Sequence, residues 1–353
     1  MFELINPNST PSENYTNSLD FIEKWQNGQQ YFRLHTSGST GQPKAIELTR
    51  VQMQASIKIT QNALGLSSGN TALICLNTNY IAGTMMLARC LEIGMKAVIV
   101  EPSSNPLKSL PDDISIDFAA FVPLQIKTII DEGYVEQLNK IKKIIVGGAA
   151  IEQRLLTDIQ KLKSDIYSTY GMTETVSHVA LQKLNGANKS DFYELLNGIE
   201  ALTDDRGCLK ICGPVTNHQW IQTNDIVEWQ DERHFKVIGR ADNIINSGGV
   251  KIQLEKVEQA IAALHLLHSR FFCWHELDEK LGQKLILVVE NQEDKSLTEK
   301  LRIELTKALS KYEIPKKIVF ISKFIETPTA KIDKKKTVES LNIRTKNKLV
   351  LNA

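Results

Sequence analysis

The chain has 353 residues, of which 42% are hydrophobic, so it can bury a sizeable core, and its length predicts two domains. Its 42 lysines and arginines balance 41 aspartates and glutamates, which leaves a net charge of +1. That balance gives no electrostatic footprint for nucleic acid or for a membrane surface, so a small-molecule ligand is expected.

The N-terminal segment and the cysteines indicate a cytoplasmic protein. Met1–Asp20 is polar and lacks a basic stretch followed by an apolar one, and the chain contains no apolar run of about 18 residues. The five cysteines are scattered without the paired spacing of a metal site, so we expect reduced thiols. Neither a leader nor a membrane anchor is predicted.

Short apolar, β-branched runs alternate with helical patterns between residues 71 and 170, which indicates an α/β fold with a largely parallel sheet. Gln153–Lys163 is a representative predicted helix. The predicted strands are Ala72–Leu76, Lys96–Val100, Phe118–Val122, Lys143–Val146 and Ile166–Tyr170.

The spacing changes from Cys208 to Gly239, where short strands separated by turn residues predict a β-rich section that closes a large N-terminal domain, residues 1–239. Those strands are Leu209–Cys212, Trp220–Thr223, Ile226–Trp229 and Phe235–Ile238. The pattern then restarts and predicts a small α+β domain, residues 240–353. Its predicted elements are helices Leu254–Leu264 and Leu297–Leu309 and strands Lys284–Glu290 and Lys317–Ile321.

A loop rich in glycine and hydroxyl groups follows the strand-like run Tyr31–His35. Glycines let backbone N–H groups approach an anion, hydroxyls add donors and a lysine adds charge, so this composition favours a polyphosphate site. It is not a Walker A loop, because Gly38 and Gly41 are only three positions apart. A plain surface turn is the alternative. The candidate residues are Thr36, Ser37, Gly38, Ser39, Thr40, Gly41 and Lys44.

Further motifs follow in order: Tyr170–Glu174, Asp225, Gly239–Asp242 leading to Gly248–Lys251, and Pro328–Lys331. Together with the loop they resemble the adenylate-forming superfamily of acyl-CoA synthetases, luciferases and peptide-synthetase adenylation domains. The resemblance runs from His35 to about residue 335. It implies an enzyme that forms an acyl-adenylate from a carboxylic acid and ATP, with Mg²⁺, and then a thioester with coenzyme A, its small C-terminal domain being mobile.

The same resemblance assigns roles on the nucleotide side. Glu174 would hold Mg²⁺, Thr173 would lie near the α-phosphate, and Tyr170 and Gly171 would lie against the adenine together with the turn at Gly148 and Ala149. These types suit their tasks, since a carboxylate oxygen is a hard ligand and an aromatic face stacks on a base. A helix-terminus charge is the alternative for Glu174, and a plain strand-to-helix turn is the alternative at Gly148.

The remaining assignments concern the ribose, the catalytic lysine and the small domain. Asp225 would accept the ribose hydroxyls, and Arg240 would reach the ribose or a phosphate, with a surface salt bridge as its alternative. Lys331 would neutralise charge during adenylation, unless it belongs to the solvated basic run that follows it. Asp242 would be the interdomain hinge. The coenzyme A candidates are Gly248, Gly249 and Lys251.

The stretch Gly171–His178 and the start of the chain 35 residues before the loop look most like the o-succinylbenzoate–CoA ligases of menaquinone biosynthesis, in a short form lacking the usual N-terminal subdomain. Such a substrate is an aromatic keto-dicarboxylate, so the non-reacting carboxylate and the ketone need polar partners. The candidates are Tyr80, Arg89, Ser177 and His178.

Other functions stay open at this point. One is a synthetase for another small aromatic or short-chain acid. A second is an adenylation domain that loads a carrier protein, although no carrier domain is expected after Ala353. A third is a non-catalytic nucleotide-binding relative, against which the retained Glu174, Asp225 and Lys331 argue. A homodimer is also left open.

Overall fold

The computed structural model describes residues 2–7, 11–35, 45–327 and 332–343. The phosphate-loop candidates Thr36–Lys44 and the motif Pro328–Lys331 lie outside the described residues. No helix in the described part of the chain is both long and apolar enough to span a membrane. All five cysteines are buried and unpaired, as the sequence predicted.

Helices and strands alternate through the first half of the chain. The helices are α1 Glu13–Gln26, α2 Arg50–Leu64, α3 Ile81–Ile93, α4 Pro123–Asp131, α5 Val135–Lys140, α6 Gln153–Ile159, α7 Leu254–Ala263, α8 Lys295–Ala308 and α9 Lys334–Ser340. The strands are β1 Glu3–Ile5, β2 Tyr31–His35, β3 Ala45–Thr49, β4 Thr71–Ile74, β5 Lys96–Ile99, β6 Phe118–Phe121, β7 Lys143–Val146, β8 Asp165–Gly171, β9 His178–Lys183, β10 Tyr193–Leu195, β11 Glu200–Thr203, β12 Cys208–Cys212, β13 Ile221–Trp229, β14 His234–Arg240, β15 Ile244–Ser247, β16 Val250–Gln253, β17 Phe271–Asp278, β18 Gly282–Glu290 and β19 Lys317–Ile321.

The predicted parallel sheet is confirmed and forms one end of a twelve-stranded sheet, in the order β1-β5-β4-β6-β7-β8-β9-β10-β14-β13-β12-β11. Strands β1 and β4 to β8 pair in parallel. Alternate residues of β4 enter two separate cores, Ala72 and Ile74 on one face and Leu73 on the other. Burial on both faces explains why these strands are continuous apolar runs rather than alternating ones.

The predicted β-rich section is present and continues the large sheet, because β9 pairs antiparallel with β8. It differs from its prediction in one respect. The predicted strands Trp220–Thr223 and Ile226–Trp229 are one strand, β13, with a register shift between Ile226 and Val227. The polar pair Asn224–Asp225 is typical of a turn, yet here it continues the strand because Asp225 pairs with Arg240 of β14.

Helix α6 ends earlier than predicted, at Ile159, and the N–H groups of Lys161 and Leu162 beyond it bond three residues back. The predicted helices and strands of the last hundred residues are confirmed within a few residues. They form a five-stranded sheet, β16-β15-β18-β17 with β19 beside β18. This sheet has its own apolar core with α7 and α8, and the short turn Ala241–Asn243 connects it to the large sheet.

Candidate active site

Strands β8, β13 and β14 bring together Tyr170, Asp225 and Arg240, three of the predicted nucleotide-binding residues. The Tyr170 hydroxyl donates to Asp225 Oδ2 at 2.7 Å, and Arg240 Nη1 donates to Asp225 Oδ1 at 3.1 Å. Arg240 also forms a bidentate pair with Asp242, in which Nε donates to Oδ1 at 2.9 Å and Nη2 donates to Oδ2 at 2.7 Å. The salt bridge foreseen as the alternative for Arg240 is therefore present, and its partner Asp225 is the predicted ribose ligand.

Burial and neighbouring charges fix the protonation states of the side chains in this group. Burial, and then the neighbouring Asp225 charge, raise the pKa of Tyr170 far above its usual range, so its hydroxyl stays a donor. The hydrogen bond from Arg240 lowers the pKa of Asp242. Tyr170 also packs edge-on against Phe235, with ring centroids 5.2 Å apart, which fixes the ring at the end of β8.

The turn after β7 supplies the predicted Gly148 and Ala149. Both are exposed and follow the carboxyl end of β7, next to the strand that carries Tyr170. Gly148 has a φ of +89°, in the left-handed region that favours glycine. In an open α/β sheet, ligands bind in the crevice outside the carboxyl ends of the strands, so the two residues lie where a nucleotide would be expected.

The segment between β8 and β9 is a tight turn in which the predicted magnesium ligand is more exposed than the predicted acid-binding serine. A Cβ on Gly171 would lie 2.3 Å from the Ser177 carbonyl oxygen, so only glycine fits where the segment folds back. Thr173–Thr175 forms a 3₁₀ turn, and the buried Val176 then adopts a γ-turn at φ +65° and ψ −55°, closed by a 2.7 Å bond from Ser177 N to Thr175 O. A β-branched residue in this region is strained. The turn leaves Glu174 exposed and Ser177 half-buried.

Glu174 has the properties of a ligand for a hard cation. Its carboxylate is exposed, and among the described side chains none donates a hydrogen bond to it. The described residues contain no group of three His, Cys, Asp or Glu side chains that could hold a metal alone. A single carboxylate without a partner among the described side chains suits Mg²⁺, which usually takes one or two carboxylates and completes its shell with water and substrate phosphates.

A buried polar cluster at the end of this turn contains three of the four predicted acid-binding residues. Arg89 of α3 is only 2% exposed, and its Nη2 donates to Ser177 Oγ at 2.9 Å. Ser177 Oγ lies 3.4 Å from His178 Nδ1, and His178 Nε2 lies 3.0 Å from Thr60 Oγ1. Residues from α2, α3 and β9 thus meet at one point.

Arg89 is a buried cation without an anionic partner in the described part of the chain. Its Nε has no hydrogen-bond partner there, and its Nη1 has only the Met86 sulfur at 3.8 Å. Burial lowers its pKa to about 10, which still leaves it protonated at neutral pH. Burial, and then repulsion by Arg89, hold the pKa of His178 well below its usual range, so the ring is neutral. The cluster therefore carries one positive charge.

Comparison with known proteins settles the family. Residues 6–197 match the family described as AMP-binding enzyme. The chain belongs to the AMP-binding enzyme family. That result confirms the family resemblance found in the motifs.

Relatives of this AMP-binding enzyme include a 2-succinylbenzoate–CoA ligase from Haemophilus influenzae, 31% identical over 300 residues, which cover 79% of this chain and 64% of the relative. An acyl-CoA synthetase (AMP-forming)/AMP-acid ligase II-like protein from Dyadobacter fermentans is 47% identical, with a TM-score of 0.65 over 95% of this chain and 96% of that one. The fold is also that of an o-succinylbenzoate coenzyme A synthetase from Bacillus subtilis, in complex with ATP and magnesium ion, at 20% identity and a TM-score of 0.72, over 86% and 69% of the two chains.

Other predicted residues of this AMP-binding enzyme lie apart from these groups. Tyr80 is half-buried at the N-terminal end of α3, about 2.5 turns before Arg89. Gly248 and Gly249 form the exposed tip of the β15–β16 hairpin, with φ of +61° and +85°, and Lys251 is exposed on β16. No described hydrogen bond or ion pair joins these residues to the two groups above.

Thr60 is the residue that the sequence did not single out. It is fully buried in α2, and its hydroxyl contacts His178 across 118 positions of sequence. A lone threonine in an amphipathic helix carries no signal of its own, since many such residues only bond back to their own helix.

Proposed function

We propose that this protein is an ATP-dependent acid–CoA ligase acting on o-succinylbenzoate in menaquinone biosynthesis. It would form the acyl-adenylate with release of pyrophosphate and then the coenzyme A thioester with release of AMP. Membership of the AMP-binding family supports the class of reaction. The observation that carries the choice of acid is the burial of Arg89 without an anionic partner among the described residues, and the name of the Haemophilus relative agrees with that choice.

Arg89 selects for a second carboxylate by its charge. A guanidinium removed from water without a counter-ion is costly, so such a group is retained where an anion pairs with it. o-Succinylbenzoate has two carboxylates, and while one reacts at the phosphate, the other can pair with Arg89. A fatty acid has no second carboxylate and would leave the cation unpaired. The site therefore favours a dicarboxylate.

On the nucleotide side, Asp225 would accept the ribose hydroxyls. A carboxylate offers about four lone-pair positions, so Asp225 can accept two hydroxyls and still keep its bonds from Tyr170 and Arg240. Gly148, Ala149 and Gly171 would line the adenine side. Thr173 and the loop from Thr36 to Lys44 would donate to the phosphates, a role that suits their hydroxyl and backbone N–H groups.

Two charged residues would serve the adenylation step. Glu174 would hold the Mg²⁺ of the nucleotide, which supplies neutralising charge when bound. Lys331 would bring an ammonium to the α-phosphate as the carboxylate approaches, and so reduce the repulsion between two anions.

The second step needs a different arrangement, because the coenzyme A thiol must reach the adenylate. We propose that residues 240–353 form a small domain that rotates about Asp242, bringing Gly248, Gly249 and Lys251 toward the site. Asp242 is held by Arg240 in the bidentate pair, so the rotation must either carry this pair along or break it. Replacing Asp242 by Pro should slow thioester formation more than adenylation, because hinges absorb changes in φ and ψ.

Acid-dependent exchange of pyrophosphate into ATP tests this function. We expect exchange with o-succinylbenzoate within a panel of aromatic, keto and fatty acids, and release of the acyl-CoA when only coenzyme A is added. Exchange without acyl-CoA release would indicate a domain that loads a carrier protein. Nucleotide binding without exchange for any acid would indicate a non-catalytic relative.

A further inference from the structure

A row of four contacts runs from the side chain of Arg89 into helix α2. Arg89 Nη2 bonds to Ser177 Oγ at 2.9 Å, Ser177 Oγ to His178 Nδ1 at 3.4 Å, His178 Nε2 to Thr60 Oγ1 at 3.0 Å, and Thr60 Oγ1 to the Ser56 carbonyl oxygen at 2.9 Å. The two ends have fixed roles, because a guanidinium can only donate and a carbonyl oxygen can only accept. The groups between them can do both.

Counting protons along this row distinguishes the two neutral forms of His178. With the proton on Nε2, every contact carries one hydrogen: Arg89 to Ser177, Ser177 to Nδ1, Nε2 to Thr60, and Thr60 to Ser56. With the proton on Nδ1, Ser177 receives two N–H groups and its own hydroxyl hydrogen has no partner in the row. Thr60 would then donate to Nε2, and two oxygens would face each other at 2.9 Å without a hydrogen between them. Only the Nε2–H form uses all four contacts.

We propose that Thr60 is a positioning residue, which fixes His178 in the Nε2–H form and thereby keeps the Ser177 hydroxyl hydrogen directed at His178 and not at the acid. Arg89 is then the group of this cluster that donates to the non-reacting carboxylate. The single positive charge of Arg89 then pairs with the single negative charge of that carboxylate. This proposal rests on the proposed function for its effect on the acid, whereas the form of His178 does not depend on any substrate.

The form of His178 is measured by nitrogen-15 NMR, which distinguishes a protonated from an unprotonated ring nitrogen. The chain has seven histidines, and loss of one signal pair in His178→Asn assigns the signal. We expect the Nε2–H form in the wild type and in Thr60→Ser, which keeps the hydroxyl. Thr60→Val has nearly the same shape without the acceptor, so an Nε2–H would be left unpaired in the interior and the Nδ1–H form should replace it.

Ser56→Ala is the matched control. It lies one helical turn from Thr60, is equally buried, and loses only a side-chain oxygen that has no partner in the described structure, while its carbonyl stays in the row. His178 should keep the Nε2–H form in this variant. An Nδ1–H form in the wild type, or a change of form in Ser56→Ala but not in Thr60→Val, would overturn the proposal.

Kinetics test the effect on the acid. Thr60→Val releases the Ser177 hydroxyl hydrogen from His178, so that it can also donate to the carboxylate, and the KM for o-succinylbenzoate should fall roughly 3- to 10-fold, the equivalent of one added buried hydrogen bond. Its kcat should stay within about twofold, because binding of the non-reacting end is the same in the ground and transition states. Thr60→Ser should restore the KM. A changed KM without a change in the form of His178 would mean that Thr60 acts only by packing, and a changed form with an unchanged or raised KM would mean that the row does not serve acid binding; either result refutes the proposal. If the wild type does not use o-succinylbenzoate at all, the proposed function fails, while the NMR result still decides the role of Thr60.

Discussion

Replacing Arg89 by methionine separates a ligand-binding arginine from a structural one. Methionine fills a similar length of apolar space but removes the charge, the unpartnered Nε and the bond to Ser177. The two roles make opposite predictions about stability. A structural arginine raises the free energy of unfolding. A buried arginine that serves to bind an anion lowers the free energy of unfolding while that anion is absent.

The magnitude follows from the burial of the guanidinium. Burial lowers the pKa of Arg89 to about 10, and at about 1.4 kcal/mol per unit this disfavours the charged form by about 3 kcal/mol. Losing the bond to Ser177 costs about 1.5–3 kcal/mol, as for a hydrogen bond to a charged group. The free energy of unfolding should therefore be unchanged or raised by up to about 2 kcal/mol. Activity should fall, since truncating one partner of a buried charge pair costs about 2–5 kcal/mol, which is roughly 30-fold or more in kcat/KM for o-succinylbenzoate.

Urea denaturation and steady-state kinetics measure both effects, with Arg50→Met as the matched control. Arg50 Nη1 donates to the Trp25 carbonyl at 2.7 Å and its guanidinium lies 4.2 Å from the Trp25 ring centre, so its loss should lower stability by about 1–2 kcal/mol and leave the KM for the acid unchanged. If Arg89→Met unfolds more easily by several kcal/mol and keeps its preference for the dicarboxylate, Arg89 is structural and the choice of acid is wrong.

Three further predictions concern the turn, the buried histidine and the lysine motif. The added Cβ of Gly171→Ala would lie 2.3 Å from the Ser177 carbonyl oxygen, so this variant should lose about 2 kcal/mol or more of unfolding free energy and all pyrophosphate exchange. A denaturation curve like that of the wild type would contradict this close approach. The pKa of His178 in the folded state is lower than its ordinary value near 6.5. Between these two values the unfolded chain binds more protons than the folded chain, so the free energy of unfolding should fall as the pH falls below about 6.5. His178→Gln should flatten this fall in denaturation measured from pH 7 to 5, whereas the exposed His268→Gln should not; equal slopes in both variants would refute the assignment. Lys331→Ala should lower pyrophosphate exchange by at least ~10²-fold yet convert synthetic acyl-adenylate and coenzyme A almost normally, and a parallel loss of both activities would exclude a role confined to adenylation.

Local signals explain which parts of the fold could be predicted. Strands β4 to β7 are buried on both faces, so each one is a run of apolar residues that reads clearly in the sequence. The break predicted within β13 was wrong, because the polar pair at Asn224 and Asp225 has the composition of a turn while its strand character comes from pairing with β14. Cross-strand pairing is a tertiary property that the local sequence does not contain.

The candidate site divides in the same way. Motif residues such as Glu174 and Asp225 were identified because neighbouring residues in the sequence form a recognisable pattern. The burial of Arg89 could not be predicted, since an arginine in a helix is usually exposed. Thr60 was missed because its partner His178 is remote in sequence and contacts it only through the packing of α2 against β9.

The specificity of the complete reaction decides between this function and its alternatives. The purified protein, supplied with ATP, Mg²⁺ and coenzyme A and without any carrier protein, should form the thioester of o-succinylbenzoate. Its kcat/KM should exceed that for octanoate by as much as ~10⁴, the discrimination that a buried hydrogen-bonding site can reach. A higher kcat/KM for octanoate or a longer fatty acid, or no thioester from o-succinylbenzoate, would contradict the proposed function.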